Sequence, residues 1–224
     1  MKSSTKGNSL DFRVLRTIPI FSELSDSRLE QLFEKLKRIE LKSNTCIFQE
    51  GEQGKEFFIV AKGRIKIFLS SSEGREITLT FLDPPQFFGE LSLLDDLPRS
   101  ASARTIGTSI LYSLSKEAFQ NFLNEHPQAG LAILKVTTEM VRRLTDQVHS
   151  LVFKDVQGRV VKTILELSKK KDVTKVTHQE LANMIGSARE TVSRVILSLE
   201  DKGIIKMSRK GIRIDNHQEL EKLL

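Results

Sequence analysis

The C-terminal third of the chain contains the stretch Ser187-Ala188-Arg189-Glu190-Thr191-Val192-Ser193-Arg194. Ser187 precedes Glu190 by three residues, the spacing of a capping box, in which the hydroxyl accepts from the Glu190 N–H and the carboxylate reaches back. On the helix that follows, Arg189, Glu190 and Arg194 lie near one face. Arginine can donate two hydrogen bonds to guanine, and glutamate can accept one from cytosine N4 in the major groove of DNA. The stretch therefore predicts a helix whose outer face contacts base pairs.

A second helix start lies just upstream, at Thr177-His178-Gln179-Glu180. Thr177 and Glu180 again have capping-box spacing, and they predict a short helix that ends at Gly186, where a left-handed residue is needed. Two capped helices joined by a tight glycine turn, the second of them basic, are typical of a helix-turn-helix.

The segment after the second helix predicts a wing. Gly203 ends the helix, and residues 204–214 form two short apolar runs around a basic turn. Arg209 and Lys210 in that turn suit phosphate contacts. In an alternative interpretation Glu190 only caps its helix and the arginines are solvated, but the wing favours DNA binding. The predicted DNA-contacting residues are Thr177, Gln179, Ser187, Arg189, Glu190, Thr191, Ser193, Arg194, Arg209 and Lys210.

The 224-residue chain has a formal net charge of +6. Residues 155–224 hold 14 Lys+Arg against 10 Asp+Glu, a net +4, whereas the rest of the chain holds 21 against 19, a net +2. The positive charge is concentrated where the helix-turn-helix is predicted, which suits a surface that meets DNA. No apolar run approaches the roughly 18 residues of a membrane span, and residues 1–10 lack the apolar core of a secretory signal. We expect no membrane partner and a cytoplasmic location.

The single cysteine, Cys46, excludes an intramolecular disulfide and any four-cysteine metal or iron–sulfur site within one chain. It stands in an apolar, strand-like run, which favours a buried thiol over a redox sensor. The four histidines show no metal-ligand spacing, and the sequence after Asp155 contains no motif typical of nucleotide hydrolysis or nucleophilic catalysis. We therefore expect no metal, no haem and no catalytic residues.

Two kinds of periodicity divide the N-terminal half. Leucines at helical spacing predict a helix over Ser22–Arg38, and from about Ile39 short runs alternate with period two. Ser71–Gly74 predicts a hairpin turn. The predicted strands lie near 57–59, 65–69, 77–81, 101–106 and 110–114. Many short strands over about 75 residues indicate a small β-barrel or roll.

His126-Pro127 predicts the start of a long helix that runs to about Lys154. Residues every seven positions along it fit the a and d positions of a parallel two-stranded coiled coil. These residues are Leu134, Thr137, Val141, Leu144, Val148 and Leu151. The stripe could instead pack on the roll, but a helix of about 28 residues is about 42 Å long, more than a small roll needs. We therefore expect a homodimer.

The segment 88–103, inside the β region, combines features of an anion site. Gly89 lets the backbone approach a ligand closely, and Glu90–Leu94 can form one helical turn whose free N–H groups favour an anion. Arg99 offers a two-pronged cation for phosphate, with Ser100 beside it, and the Glu90 carboxylate can accept from a ribose hydroxyl. A structural ion pair between Glu90 and Arg99 would fit the same residues, so the segment alone does not decide between the two.

Over nearly its whole length the chain resembles the cyclic-AMP receptor protein/FNR family of bacterial transcription factors. The segments Gly-Glu-Leu-Ser-Leu-Leu (89–94) and Pro-Arg-Ser-Ala-Ser (98–102) resemble the phosphate-binding cassette of that family, and residues 179–194 resemble its recognition motif. The resemblance implies an α+β fold with an N-terminal β-roll of the cyclic-nucleotide-binding kind, a long dimerisation helix and a C-terminal winged helix-turn-helix.

The patterns and the resemblance together divide the chain into four parts. We predict an N-terminal tail (1–21), a β-roll effector domain with flanking helices (22–126), a dimerisation helix (127–154) and a DNA-binding domain (155–224). Asp155 can cap the helix that opens the last part, and a hinge is expected near 153–155.

The resemblance also implies roles for individual residues. Glu90 would hold the ribose 2′-hydroxyl of a cyclic nucleotide such as cyclic AMP, and Arg99 and Ser100 its cyclic phosphate. The whole implied set in the cassette is Gly89, Glu90, Leu91, Ser92, Arg99 and Ser100. The residue types at Arg189, Glu190 and Arg194 are those that contact TGTGA-like half-sites, so palindromic double-stranded DNA and RNA polymerase are the implied partners. The cysteine cluster of the FNR branch is absent from this sequence, which argues against an iron–sulfur oxygen sensor.

One departure from the family concerns the base of the nucleotide. Two adjacent hydroxyl residues on the dimer helix meet the adenine in cyclic-AMP receptor proteins, and the corresponding residues here are Leu144 and Thr145. Thr145 can bond to a base but Leu144 cannot, and the loss of such a polar contact costs about 1 kcal/mol or more. We expect a homodimeric DNA-binding regulator controlled by a small anionic ligand. The alternatives are the same dimer acting without a ligand or on a non-nucleotide signal, and a cyclic-nucleotide-binding module of an enzyme.

Overall fold

The computed structural model describes residues 12–168, 173–174, 176–208 and 211–224. The chain divides into two compact units: the first contains the residues up to Ile67 together with Thr80–Met140, and the second contains Phe68–Leu79 and Val141–Leu224. The predicted DNA contacts Arg209 and Lys210 lie outside the described residues.

The N-terminal part of the first unit is helical. Two short 3-10 helices, Phe12–Thr17 and Pro19–Phe21, precede helix α1, Asp26–Glu34. Helix α1 is shorter at both ends than the predicted 22–38, because the Ser25 hydroxyl caps it and a strand already begins at Lys37. Residues assigned to the tail also pack in the core, since Leu15, Ile18 and Phe21 are fully buried.

One sheet of six strands follows. The strands are β1 Lys37–Leu41, β2 Cys46–Phe48, β3 Glu56–Ser70, β4 Glu76–Leu82, β5 Phe87–Phe88 and β6 Ser102–Ser115. The order β1-β6-β3-β4 forms the sheet, with β2 paired to β6 and β5 to β3. The predicted turn is confirmed, because the Ser71 N–H donates to the Arg75 carbonyl at 2.8 Å. The β-rich character of this region was therefore predicted correctly.

Two of these strands are longer than the alternation predicts. Strand β3 runs through 15 residues and β6 through 14, where the sequence predicted two short strands in each place. In β3 the side chains of 57–60 and of 65–68 are buried consecutively, so both faces of the strand are covered near each end. Between the two runs, residues 61–64 are Ala-Lys-Gly-Arg and carry no large apolar side chain, so the apolar alternation is interrupted there and resembled a turn.

Helices follow the sheet. Helix α2 is the single turn Leu91–Leu94, α3 spans Lys116–Glu125 and α4 spans Pro127–Phe153. The long helix was thus predicted to within a residue at its C-terminal end. Phenylalanines from the sheet and from α3 stack in the core of the first unit, with the Phe57 and Phe119 ring centroids 4.7 Å apart.

The second unit ends in a helical domain with a small sheet. Its elements are α5 Val156–Ser168, β7 Val173–Thr174, α6 His178–Ile185, α7 Arg189–Asp201, β8 Ile205–Ser208, β9 Gly211–Ile214 and α8 His217–Glu221. Strands β8 and β9 are the two predicted strands of the wing, and β7 joins them in the order β7-β9-β8. Asp155 caps α5 as predicted, accepting from the Gly158 N–H at 2.7 Å. Buried residues of all three main helices form one core.

Cys46 lies at the exposed start of β2, so the prediction of a buried thiol was wrong. The run Thr45-Cys46-Ile47 is apolar enough to form a strand, but a strand exposes alternate side chains when only one of its faces is covered. Within the described residues, the helices are all too short or too polar to span a membrane.

Candidate functional site

Gly89 lies between β5 and α2 in a conformation that favours glycine, with φ at +85°. A Cβ atom built on Gly89 would lie 2.7 Å from Nη1 of Arg99 and 3.2 Å from the Glu56 carbonyl oxygen. The absence of a side chain at this position is what allows the arginine to approach the backbone. The group that approaches the backbone at Gly89 in this structure is therefore the protein's own Arg99 side chain.

Arg99 is only 6% exposed, and protein acceptors already bind most of its guanidinium. Nη1 donates to the Gly89 carbonyl at 2.6 Å and to the Ser92 hydroxyl at 2.8 Å, and Nη2 donates to the Glu56 carbonyl at 2.7 Å. The buried Nε–H finds no acceptor among the described residues. An unpaired buried donor is costly, so Nε is a place where an anion would gain free energy by binding.

A cluster of three phenylalanines lies beside this guanidinium. Arg99 Cζ is 4.1 Å from the centroid of the Phe48 ring and 5.9 Å from that of Phe58. Phe88 stacks on Phe58 at 5.2 Å and lies 5.8 Å from Phe48. Sequence analysis missed Phe48 and Phe58, because they come from β2 and β3 and only the folded sheet brings them to the cassette. Phe88 carried the one available signal, its position directly before Gly89.

Glu90 is half-buried at the start of α2. Burial raises the pKa of its carboxyl, and a hydrogen bond from its own backbone together with the positive charge of Arg99 partly opposes this rise. Burial also lowers the pKa of Arg99, against the attraction of Glu90, Glu56 and Glu52. Glu90 and Arg99 therefore interact through their charges, while each direct hydrogen bond of the guanidinium that the structure shows goes to another group.

The remaining cassette residues differ in exposure. Leu91 is half-buried in α2, Ser92 is buried with its hydroxyl on Arg99, and Ser100 is exposed directly after Arg99. Gly54, which sequence analysis missed, packs directly against Ser92 and Arg99. A Cβ atom at Gly54 would lie 2.0 Å from the Ser92 hydroxyl and 3.5 Å from Arg99 Cζ. The structure thus brings Gly89 and Ser92 into hydrogen-bond contact with Arg99 and places Glu90 near enough to interact through its charge.

Helix α4 exposes much of its predicted interface. Leu134, Val141 and Val148 are each more than half exposed, and Leu151 is 42% exposed. The other predicted interface positions, Thr137 and Leu144, are half-buried. Large apolar side chains in this number on one helix are unusual at a solvated surface.

Thr145 is exposed, and its hydroxyl donates to the Val141 carbonyl at 3.0 Å. A hydroxyl has one donor and two acceptor lone pairs, so Thr145 retains only acceptor capacity for another group. Leu144 beside it has none.

The first helix of the helix-turn-helix starts as predicted. The Thr177 hydroxyl accepts from the Glu180 N–H at 3.1 Å, and the Glu180 carboxylate accepts from the Thr177 N–H at 2.7 Å, a complete capping box. At the other end Gly186 adopts the predicted left-handed conformation, with φ 62° and ψ 47°. The two caps fix the length of α6 and the position of the turn.

The predicted capping box at Ser187 is wrong. Helix α7 begins at Arg189 with Ala188 at its N-cap, and no side chain caps it. Ser187 instead completes the end of α6, because its N–H donates to the Ala182 carbonyl at 3.0 Å. Because Ser187 takes part in the C-cap of α6, it lies one residue before the N-cap position of α7, which Ala188 occupies.

The outer face of α7 carries the charged residues that the sequence placed there. Arg189, Glu190 and Arg194 are exposed, and Val192 and Ile196 on the opposite face are fully buried. The side chains of Arg189 and Glu190 form no hydrogen bond or ion pair with any described residue. This face therefore has free donors and acceptors, which a DNA base edge requires.

Other predicted DNA contacts already have partners. The Ser193 hydroxyl lies 2.8 Å from Nδ1 of His178, and Gln179 donates to Asn183 at 2.9 Å. The half-buried Thr191 accepts from Arg194 at 3.4 Å. The bond between Ser193 and His178 joins α7 to the first residue of α6, so it fixes the recognition helix within its domain.

Family comparisons agree with both halves of this description. Residues 38–126 match a family described as "Cyclic nucleotide-binding domain", and residues 158–223 match one described as "Crp-like helix-turn-helix domain". The two matches cover the β-sheet region with α3 and the helical domain with its wing. Together they define a transcription regulator with a cyclic-nucleotide-binding domain.

Relatives of known function extend the match to nearly the full chain. The CRP-like cAMP-activated global transcriptional regulator of Mycobacterium tuberculosis is 30% identical over 216 residues, which are 92% of this chain and 96% of that protein. The Cyclic AMP receptor protein of Thermus thermophilus is 28% identical over 207 residues, again 92% and 96%. The chain belongs to the cyclic-AMP receptor protein/FNR family of transcription regulators. Its relatives are regulators rather than enzymes, as expected from the sequence.

Solved structures give the same fold. The Thermus thermophilus catabolite activator protein is 28% identical and covers 92% of this chain and 97% of its own, with a TM-score of 0.54. The c-di-GMP responsive regulator CLP of Xanthomonas campestris is 24% identical and covers 85% of this chain and 99% of its own, with a TM-score of 0.76. Within the described residues, groups of three or more His, Cys, Asp or Glu side chains suited to a metal ion are absent.

Proposed function

We propose that this chain is a homodimeric, sequence-specific DNA-binding transcription regulator whose DNA affinity is set by a small anionic ligand in the β-roll. The ligand class we propose is a cyclic nucleotide, with cyclic AMP as the first candidate. The observation that carries this proposal is the buried Arg99, which retains an Nε–H without an acceptor among the described residues and lies next to the half-buried Glu90. A phosphate oxygen would supply the acceptor, and a ribose hydroxyl would supply a donor to the carboxylate.

The other cassette residues would complete the ligand site. Ser100, exposed beside Arg99, would donate its hydroxyl to the cyclic phosphate, and the backbone at Gly89 and Leu91 would lie against the ribose phosphate. Ser92 would act through Arg99, because its hydroxyl binds the guanidinium. A hydroxyl donor reaching Glu90 would stabilise the ionised carboxylate, so binding of a nucleotide would release part of a proton from the protein.

The base of the nucleotide would meet α4 at Leu144 and Thr145. Since the Thr145 hydroxyl donates to Val141, the group that it could still bind is a donor, such as the exocyclic amine of adenine. Leu144 offers only an apolar surface. We therefore propose that this chain binds adenine with fewer polar contacts than relatives that carry two hydroxyl residues there.

Two copies would pair along α4. Four exposed apolar residues of this helix, Leu134, Val141, Val148 and Leu151, occupy the heptad positions a and d, and their burial against a second copy would remove them from water. Dimerisation would align two recognition helices with successive major grooves, about 34 Å apart on one face of the duplex. A palindromic site with TGTGA-like half-sites is the expected target, and RNA polymerase is the expected protein partner.

Ligand binding would act as a population shift between two arrangements of the DNA-binding domains. The domain boundaries at 127 and 155 stay predictions, and we propose the junction of α4 and α5 as the hinge. Asp155 supports this position, because its side chain caps α5, so that α5 begins as a separate helix a few residues after α4 ends.

Calorimetric titration with a panel of cyclic mononucleotides and dinucleotides, with DNA affinity measured with and without each, tests the proposal. We expect one member to bind and to raise affinity for a palindromic TGTGA-containing duplex, and sedimentation to show a dimer. A monomer at micromolar concentration, with and without this duplex, would overturn the dimer. Binding that leaves DNA affinity unchanged would overturn the regulatory role of the ligand.

A second candidate is the same dimer acting without a ligand or on a non-nucleotide signal. It is favoured by the three hydrogen bonds that Arg99 makes to protein acceptors and by the hydrocarbon side chain of Leu144. The same titration separates the candidates. Full DNA affinity in the absence of any nucleotide, with no heat of nucleotide binding, would favour the second.

A further inference from the structure

The face of the Arg99 guanidinium is covered by a ring from a distant part of the chain. Phe48 ends β2, about fifty residues before Arg99, and its ring centroid lies 4.1 Å from Cζ. At this distance the π-electrons of the ring attract the cation. Phe48 itself is half-buried and packs against Phe58 and Phe88, with centroids 5.9 and 5.8 Å away.

The edge of the same guanidinium is held separately. Of its five N–H groups, two on Nη1 bind Gly89 and Ser92 and one on Nη2 binds the Glu56 carbonyl. Hydrogen bonds in the plane restrain the guanidinium within that plane, and the ring restrains rotation out of it. The two sets of contacts together fix the direction in which the unbound Nε–H points, beside the second N–H of Nη2.

We infer that Phe48 is a positioning residue, which holds Arg99 so that its Nε–H is aimed at the anion before the ligand arrives. The inference rests on the proposed nucleotide site and names a residue outside the cassette that determines its affinity. An arginine held in place loses little conformational entropy on binding, and that saving appears as affinity. A mobile side chain at position 99 would keep the charge but would have to be ordered by the ligand itself.

A substitution that keeps apolar volume but removes the π-face tests this role. We choose Phe48→Leu, with Phe48→Tyr as the conservative variant that keeps the ring. The matched control is Phe33→Leu, because Phe33 is also half-buried in the first unit but packs on Tyr112, with ring centroids 5.6 Å apart. Each variant is made in the full-length chain.

The first readout needs no nucleotide. The Nε–H resonance of Arg99, assigned by its loss in Arg99→Lys, is expected to show a ring-current shift and slow exchange with water in the wild type. Phe48→Leu should abolish the shift and speed the exchange, Phe48→Tyr should restore both, and Phe33→Leu should change neither. An unchanged resonance in Phe48→Leu would overturn the inference, whatever the protein binds.

The second readout is titration with cyclic AMP. We expect Phe48→Leu to weaken binding about tenfold, equivalent to about 1.4 kcal/mol, and Phe48→Tyr and Phe33→Leu to bind like the wild type. Equal affinities in the wild type and Phe48→Leu would overturn the inference and leave the proposed site standing. A wild type that does not bind cyclic AMP would count against that ligand in the proposed function, and the resonance of Arg99 would then decide the role of Phe48.

Discussion

The pair Arg99 and Glu90 in the first unit and the pair Arg189 and Glu190 in the second use the same side-chain types in opposite environments. Arg99 is buried, three of its N–H groups are bound to protein acceptors, and burial alters the pKa of both partners. Arg189 and Glu190 are exposed and have no side-chain partner among the described residues. A buried arginine that protein acceptors hold in one geometry can select a small ligand, whereas an exposed pair remains available to a large, hydrated one.

This difference determines what each arginine contributes to folding. Removing a buried charged donor leaves several acceptors unsatisfied, and removing an exposed one leaves only solvent in its place. Binding and stability should therefore be coupled at Arg99 and separate at Arg189.

The largest effect is expected for Arg99→Ala. Loss of the charged donor should cost about 2–5 kcal/mol of nucleotide binding, because the phosphate would lose its buried cation. The same change should lower the free energy of unfolding by about 2 kcal/mol or more, since the carbonyls of Gly89 and Glu56 lose their donor. Calorimetric titration and urea unfolding measure the two losses. Unchanged nucleotide affinity in a folded variant would contradict the assignment of the anion site.

Arg189→Ala should separate the two properties. We expect a loss of about 1–3 kcal/mol on the specific duplex, with relaxed preference at one base pair, and a change in stability within about 0.5 kcal/mol. Competition binding against duplexes substituted at single positions, at fixed salt, measures the preference. Equal losses on specific and random DNA would indicate that Arg189 contacts phosphate rather than a base.

The same contrast explains which features the sequence could predict. The caps at Thr177 and Gly186, the long helix ending at 153 and the exposed face of α7 depend on local spacing, and the structure confirms them. Local spacing left segment 88–103 open between an anion site and a structural ion pair, and the resemblance to the family identified it as the cassette. The sequence could not show that Arg99 is buried, because the Glu56 carbonyl and the Phe48 ring that contact it come from strands distant in the sequence.

The errors have physical causes of the same kind. Ser187 has the right spacing for a capping box, but such a box needs the Ser187 N–H as a donor to Glu190. The C-cap of α6 already uses this N–H, so the two motifs cannot both form. Strands β3 and β6 were divided because residues 61–64 in β3 and 107–109 in β6 carry no large apolar side chain, although the pairing of the folded sheet continues through them. The segment before α1 was placed in a tail because its residues, among them Leu15, lack a recognisable period.

Glu90→Gln tests the consequence of burial for the acidic partner. Burial raises the pKa of Glu90 above its ordinary value of about 4.5, so the folded chain binds the proton more tightly than the unfolded chain. Stability therefore falls as the pH rises from that value through the raised pKa. The variant should be more stable than the wild type at pH 7, and this gain should vanish at about pH 4.

The control for this change is Glu190→Gln, at an exposed carboxylate. We expect its effect on the free energy of unfolding to stay within about 0.5 kcal/mol at both pH values. Urea midpoints of the three proteins, measured without nucleotide, give the comparison. A gain for Glu90→Gln that is the same at both pH values would show that the charge of this carboxylate is not what destabilises the folded chain.

The smallest effects extend the contrast to hydroxyl groups within the helix-turn-helix. Thr177→Ala should lower stability by about 1 kcal/mol, because its hydroxyl accepts from the Glu180 N–H at the start of α6. Ser187→Ala should change stability by less than about 0.5 kcal/mol, because its side chain caps no helix and its backbone N–H, which holds the end of α6, is unaffected. Thermal unfolding without DNA measures both, so a role of either hydroxyl in phosphate contact does not enter. A loss at Ser187 as large as that at Thr177 would mean that α7 is capped in solution by the box that its sequence predicts.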